Sequence, residues 1–391
     1  MVGYRALTPA AGWAGFVLGG TWMAHDRRRG RRGQQSDPGG RPLVVHFQRR
    51  PFPGHYSIER AFEHVRPALQ ARFEIEVVVA PEPSLGLLPR FRTVLEARRR
   101  QGELTHVTGD INFAAILMRR RETILTIHDL EFLDRASLPK RLIYTWLWLR
   151  LPLSKAAAVT VPSEATRLEL LQVVNLDPAR VHVVPVPVGN EFLRLPQLPP
   201  SQQLYPGQLP TAPGRQTVLI VGTRSNKNVE RAAMALRGLP VKVTVVGELS
   251  APQQEAFEAA GVEHEVRSML DDDELLGCYE ACHLLLFAST KEGFGMPILE
   301  AQAAGRPVVT SDMAPMRDVA GGGACLVDPF DVESIHRGVQ RVLDDDGYRA
   351  ALVRWGFENV ESYRPEVVAE QYASIYLEVW ESAYPEEARL R

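Results

Sequence analysis

Cysteine is scarce in this chain: Cys278, Cys282 and Cys325 are the only three, and all lie in the second half. An odd, sparse count builds no disulfide framework, which excludes a stapled secreted scaffold and makes a reducing, cytoplasmic setting the expectation. Cys278 and Cys282 have the spacing of one helix face, but no further ligands accompany them, so they read as buried thiols rather than a metal site. Long apolar runs are missing as well. No stretch of eighteen apolar residues occurs, and no membrane-spanning helix is expected. Net charge is small, −2, so nothing global points to nucleic acid as a partner. That average conceals an asymmetry. Residues 41–200 carry 22 Lys/Arg against 16 Asp/Glu, whereas residues 201–391 carry 17 against 29. The contrast reads either as different partners for the two halves, the basic one facing anionic lipid or a phosphorylated acceptor, or as uneven solvated surface.

What is present is length and alternation. A chain of 391 residues is too long for one ordinary core and suits two domains. Short β-rich runs at 43–47, 75–79, 105–108, 123–128, 158–162 and 181–184 alternate with helical stretches at 57–71, 88–100 and 163–173. The second half repeats the pattern, with strands at 218–221, 241–246, 264–266, 284–287, 308–310 and 325–327. Helices fall there at 228–236, 251–260, 272–281, 297–304 and 332–344. Continuous apolar strands separated by helices indicate parallel sheets covered on both faces. The expected architecture is α/β, two Rossmann-like doubly wound domains facing each other across a cleft. The first is expected over 41–195, a Pro-rich linker over 196–215 and the second domain over 216–364. A helix over 365–391, with Tyr372, Tyr376 and Trp380 on a narrow stripe, is expected to pack on the body, crossing back to the first domain. Residues 1–40 are mildly apolar over 9–24 and Arg-rich after Arg27, the reverse of a secretory signal. They read as a disordered or mis-called extension, with Met23 an alternative start, or as a loose membrane-associating tail. Ligands of doubly wound sheets bind at the carboxyl ends of the strands, which places the active site in the cleft.

The densest signal is STKEGFGMPILE over Ser289–Glu300. It follows an apolar strand and opens a helix, with Pro297 suited to a first helical position. Gly293 and Gly295 let the backbone approach a ligand, and the free amides of Gly295, Met296 and their neighbours sit at the positive end of the helix dipole. That suits a diphosphate, with the dipole contributing about 0.3–1 kcal/mol when exposed. Glu292 and Glu300 bracket the loop, and carboxylates are good partners for vicinal diols. A second loop, VGTRSNKN over Val221–Asn228, offers Arg224 and Lys227 to neutralise the charge of a departing nucleoside diphosphate. In the first half, Thr126-Ile127-His128-Asp129 ends an apolar strand. Asp271, Asp272 and Asp273 read as a helix cap and first-turn acids rather than a metal-binding pair.

The motif from Glu292 to Glu300, with its surrounding Gly-Phe-Gly-Met-Pro-Ile-Leu-Glu and the later Gly305-Arg306-Pro307, resembles the E-x7-E motif of glycosyltransferase family 4. The resemblance covers most of 43–380 and implies the GT-B fold and a retaining, nucleotide-sugar-dependent transfer. It implies that Glu292 contacts the donor sugar, Glu300 the ribose, Lys227 and Arg224 the diphosphate, and His128 the sugar from the opposite side. Phe294, Gly295 and Met296 would supply loop amides. His106–Asp110 is similar to a cleft-lining segment in some members, with Asn112 standing where those often carry a His. In the loop Arg49–Ser57, Gly54 and His55 match an acceptor-side glycine-rich loop in part, and His55 with Arg50 would alternatively bind an acceptor phosphate. The implied partners are a nucleoside-diphosphate sugar as co-substrate and a saccharide or lipid-linked acceptor, in polysaccharide or glycolipid synthesis. No cofactor or metal is called for. Residues 138–153, rich in Leu, Trp and basic side chains, read either as a peripheral contact with the inner face of the membrane or as a mostly buried helix. Two alternatives remain open: a nucleotide-sugar-binding scaffold without transfer, and a sugar-nucleotide epimerase of the same architecture.

Overall fold

The computed structural model describes residues 40–50, 57–84, 86–134, 137–193 and 215–389. Gly54, His55, residues 1–39 and most of the 196–215 segment therefore lie outside the described residues. The first sheet contains β1 (Leu43–Gln48), β2 (Glu74–Val79), β3 (Leu104–Val107), β4 (Thr123–Thr126), β5 (Ala158–Val161) and β6 (Val181–Val183). They are ordered β2-β1-β3-β4-β5-β6. The second contains β7 (Gln216–Val221), β8 (Val241–Val246), β9 (Glu263–Arg267), β10 (Leu284–Phe287), β11 (Val308–Ser311) and β12 (Ala324–Val327), ordered β12-β11-β10-β7-β8-β9. Every strand pair is parallel. The expected α/β class, two doubly wound Rossmann-like sheets, is what the chain adopts.

Alternation along each strand sorts the core into two faces per sheet. In the first sheet Val45, Phe47, Val107, Leu125 and Val159 look to one side, and Val44, Leu104, Ile124 and Ala158 to the other. That second side also carries polar residues. His46 of β1 pairs in register with His106 of β3, and Thr126 of β4 with Thr160 of β5; all four are buried. They are covered by the helix Pro365–Ala383, whose Val368, Tyr372, Tyr376 and Trp380 share a core with Phe62, Val65 and Leu69 of the helix Ser57–Leu69.

Hydrogen-bond geometry assigns a direction to this polar row. Arg66 Nε donates to His46 Nδ1 (3.4 Å), so the proton of that ring sits on Nε2, which lies 3.0 Å from the Tyr376 hydroxyl. A hydroxyl has one proton. Having accepted from His46, Tyr376 donates to His106 Nδ1 at 2.7 Å. His106 then donates through Nε2 to Thr126 Oγ1 (2.7 Å), which lies 2.7 Å from Thr160 Oγ1. Both imidazoles must be neutral for this relay to close. Burial, each other's proximity or that of His128, and Arg66 indeed hold His46 well below the ordinary imidazole range and His106 down to about 3.

Two features differ from the sequence reading. The helix Asp346–Val360 was not anticipated; it buries Arg349, which donates to the carbonyls of Val342 and Leu343 and so keeps an otherwise apolar face polar in sequence. Val188 and Phe192, inside the segment expected to belong to the first domain, pack with Leu219, Tyr279 and Phe287 of the second core. The chain has thus crossed over before residue 195.

Removing the Tyr376 hydroxyl by Tyr376→Phe should lower stability by about 1–3 kcal/mol, because two buried rings lose their partner; chemical denaturation checks this. The same histidines set a pH dependence. Their folded pKa lies below the unfolded value, so the stability they contribute is complete above about 6.5 and is lost as pH falls toward about 3. Denaturation midpoints that stay level between pH 7 and 5 would contradict the assignment.

Candidate active site

In the second sheet the strand order reverses between β7 and β10, and a doubly wound sheet opens a crevice at such a switch point. The loops that follow these two strands carry the basic and acidic motifs, and they are stitched together. Thr290 N donates to the Asn226 carbonyl (2.8 Å), and Asn226 Nδ2 to the Lys291 carbonyl (2.8 Å). Lys227 Nζ lies 2.7 Å from Glu292 Oε1, with only 16% and 13% of the side chains exposed, and 4.4 Å from the centre of the Phe287 ring. The turn depends on two unusual backbones. Gly222 has φ +88°, and a Cβ there would come within 2.9 Å of Lys227 Cε. Asn228 takes φ 59°, which Asn tolerates better than most residues, and its buried amide is fixed by donation to the carbonyls of Ala288 and Pro329.

Gly295, at φ +112°, caps the helix Met296–Ala303. Among the described residues, the amides of Phe294 and Gly295 have no backbone or side-chain acceptor. The Phe294 side chain is core, packed edge-on to Tyr363, so only its backbone can serve a ligand. Glu300 lies one turn into the helix and is 9% exposed. Tyr279 donates its hydroxyl to Glu300 Oε2 at 2.5 Å. Burial outweighs that bond and pushes the Glu300 carboxyl up to about 7.

Across the cleft, His128 follows β4 and places Nε2 2.8 Å from the Thr108 carbonyl. The second domain touches it directly: a Cβ on Gly293 would stand 2.6 Å from the His128 carbonyl oxygen. Ser163 and Thr166, at the cap and first turn of the helix Glu164–Val173, donate their hydroxyls to the Gly293 carbonyl at 2.8 and 3.1 Å. Lys291 pairs with Glu169 of that helix (2.8 Å), and Arg60 with Asp272. A cavity of about 510 Å³ opens beside His128, with Arg224 entering from the second domain and Asp129 from the first. Burial and the neighbouring Asp110 raise the Asp129 carboxyl.

Lys227, Glu292, Gly295 and Glu300 thus share one end of the second sheet, and His128 and Arg224 share a cavity. His106 is not in the cleft; it lies within the relay under the C-terminal helix. Asp271 caps its helix in a reciprocal pair with Glu274, and the three cysteines are buried. Residues 138–153 match neither reading alone. Leu138, Leu142, Ile143 and Trp146 are exposed, while Tyr144 and Trp148 turn inward to the cavity. Tyr279, Ser163 and Thr166 were not singled out from sequence, because each acts by holding a motif residue rather than belonging to a motif; Asn226 stood inside the second motif but was given no role of its own.

A buried carboxyl whose folded pKa is raised contributes stability that is complete below about 4.5 and lost as pH rises through about 7. Glu300→Gln keeps an acceptor for Tyr279 without the charge. It should raise stability at pH 8, by up to about 3 kcal/mol from linkage, and change little at pH 4.5. Thermal melts at the two pH values decide it; equal effects at both would mean Glu300 is not raised.

Comparison with known proteins bears on the family and the fold. The family model for glycosyl transferases group 1 matches residues 201–358, and that for Glycosyltransferase Family 4 matches residues 59–191. Among curated proteins, O-antigen chain mannosyltransferase B of Escherichia coli is 24% identical over 278 residues, covering 66% of this chain and 71% of that one. Serotype-specific mannosyltransferase WbdA of Escherichia coli is 24% identical over 211 residues; the match takes in 51% of this chain but only 26% of that much longer protein. Among solved structures, Anabaena Alr3699/HepE in complex with UDP-glucose superposes with a TM-score of 0.62 at 16% identity, over 86% of this chain and 99% of that one. The two models together span both halves of the fold, and the chain belongs to the family 4 type of GT-B glycosyltransferases.

Proposed function

We propose that this glycosyltransferase is a retaining hexosyltransferase acting on a nucleoside-diphosphate sugar in polysaccharide or glycolipid synthesis. The observation that carries the reading is the meeting of Lys227, Glu292 and Glu300 at the switch point of the second sheet, opposite His128. In this reading Glu300 accepts the ribose hydroxyls, and Lys227, Arg224 and the amides of Phe294, Gly295 and Met296 hold the diphosphate. Glu292 and His128 orient the sugar. Lys227 and Glu292 pair with each other before the donor arrives, and the diphosphate then competes for the ammonium. As the sugar–phosphate bond breaks, negative charge grows on the leaving diphosphate, where fixed cations and dipoles stabilise it most. The acceptor hydroxyl enters from the first domain and attacks the face that the nucleotide leaves. Cations and amides suffice for this charge, so the reading invokes no metal. A hexose donor agrees with the mannosyltransferase names of the similar E. coli proteins, and a nucleotide sugar with the UDP-glucose bound to HepE. A scaffold without transfer or an epimerase has no comparable support.

A thermal-shift screen against UDP, GDP, ADP and their sugars tests the donor site. One nucleotide should raise the melting temperature, by about 2.7 kcal/mol of apparent stability at a hundredfold excess over Kd. Its affinity should weaken as pH falls below about 7, where Glu300 protonates, and Glu300→Ala should abolish the shift. Lys227→Ala should cut transfer by roughly 100-fold or more with the fold intact. No shift with any nucleotide, or wild-type transfer by Lys227→Ala, would sink the assignment.

The exposed Leu138, Leu142, Ile143 and Trp146, beside Lys140, Arg141 and Arg150, extend this reading to a bilayer surface, since Trp and cations on an apolar face suit an anionic interface. The protein should float with phosphatidylglycerol vesicles but not with phosphatidylcholine alone, and Trp146→Ser with Ile143→Ser should release it. Equal flotation of that variant would dismiss the contact.

A further inference from the structure

The donor reading uses one edge of the cavity beside His128 and leaves most of its wall without a role. That wall is aromatic. Tyr144 ends the helix Leu138–Tyr144 and Trp148 stands four residues on, in the π-helical turn Thr145–Arg150. The wider turn brings the two rings onto one line, 5.4 Å apart and edge to face. Phe113 supports Trp148 from behind at 5.2 Å, and Phe132 meets Tyr144 at 6.1 Å. Rings locked against one another in this way form a rigid apolar surface with little rotamer entropy left to lose on binding.

Directional polar groups stand around it. Asn112 is 5% exposed, lines the cavity, and its Oδ1 is a buried acceptor with no hydrogen-bond partner among the described residues. Buried polar atoms are almost always satisfied, so one that faces a cavity points to something that fills it. Arg90 lies 4.6 Å over the Trp148 ring. Its Nε donates to the Ser84 carbonyl, which fixes the guanidinium plane of a side chain that lines the cavity.

Charge narrows the class of occupant. With Arg224 engaged by the donor diphosphate, the lining holds Arg90 and Lys140 against Asp110, Asp129 and Glu131, and Asp110 is already paired with Arg49 at 2.9 Å. There is no cationic surplus for a second phosphate, and a dianion would face the Asp129 and Glu131 carboxylates of the lining. A hydroxyl both donates and accepts, so it suits carboxylates, a guanidinium and an amide together. Flat apolar walls with a few placed polar groups, in a cavity of this size, are what small-molecule sites present.

We propose that this cavity is the acceptor subsite, and that it takes an uncharged pyranose residue of a glycan, seated on the Tyr144–Trp148 wall and hydrogen-bonded by Asn112 and Arg90, rather than a phosphorylated acceptor. The proposal rests on the donor reading for the place of the leaving group. The aromatic wall itself belongs to the same helical segment whose outer face is exposed.

Saturation-transfer NMR on the full chain tests it, with methyl α-mannopyranoside and methyl α-glucopyranoside as probes, in the presence of the nucleotide that gives the largest thermal shift. At least one glycoside should receive saturation with the nucleotide bound. Trp148→Leu should weaken it by about tenfold, Trp148→Phe should restore most of the contact, and Asn112→Ala should weaken it independently of Trp148. Inorganic phosphate should not compete. If Trp148→Leu does not fold, Asn112→Ala with Arg90→Gln carries the same expectation. The proposal is overturned if neither glycoside is contacted, if the contact ignores these substitutions, or if phosphate displaces it. A nucleotide shift that persists while the glycosides fail isolates this inference as the error. Absence of any nucleotide shift faults the donor reading, and glycoside binding then still reports on the cavity.

Discussion

Two sheets meet in this molecule at a point with no room for a methyl group. Gly293 presses on the His128 carbonyl, and two hydroxyls from the first domain hold its own carbonyl in place. Glu292 is the adjacent residue, so the contact that joins the halves also positions a carboxylate against Lys227. The two loops are also tied to each other within the second domain through Thr290, Asn226 and Asn228, so the domain contact braces from outside a site already held from within. The Lys291–Glu169 and Arg60–Asp272 pairs flank the contact, but ion pairs that remain this exposed contribute little on their own.

The site also shows a conflict between stability and binding. Glu300 is buried where its charge is disfavoured, and Tyr279 offsets only part of that cost with a single hydrogen bond. A Gln would fit the fold better. In the proposed reading the carboxylate is there for the ribose diol, and a buried acid that the fold disfavours is the kind of local violation expected of a functional position.

Much of the architecture was legible in the sequence for a simple reason. Parallel strands buried on both faces are continuous apolar runs, and the inner strands stand out against their helices for that reason, whereas the edge strands β2 and β9 are largely exposed and carry Glu among their apolar residues. The helix Asp346–Val360 did not, since Arg349 and Gly356 occupy buried positions and blur its face. The Lys227 and Glu292 loops were readable because glycine and proline punctuate them. What holds those loops was not, for Tyr279 and Ser163 come from distant segments and carry no local pattern. Tyr144 and Trp148 read as part of an apolar helix, because composition does not tell an inward ring from an outward one when both line the same short segment. His106, a polar residue near a strand end, looked like a cleft residue; side-chain alternation sends it to the opposite purpose, under a helix nearly three hundred residues away.

That helix has a consequence for synthesis. One face of the first sheet, with its row of two histidines and two threonines, is covered by residues Pro365–Ala383. On a ribosome the six strands of that sheet emerge long before their cover does. Until the last helix arrives, the nascent first half exposes Val44, Leu104 and Ile124 and leaves the His106 relay without its middle link. Its folding is therefore completed from the far end of the chain, and a polypeptide stopped anywhere before residue 365 would present to the cell's quality control a half-open sheet rather than a shorter enzyme.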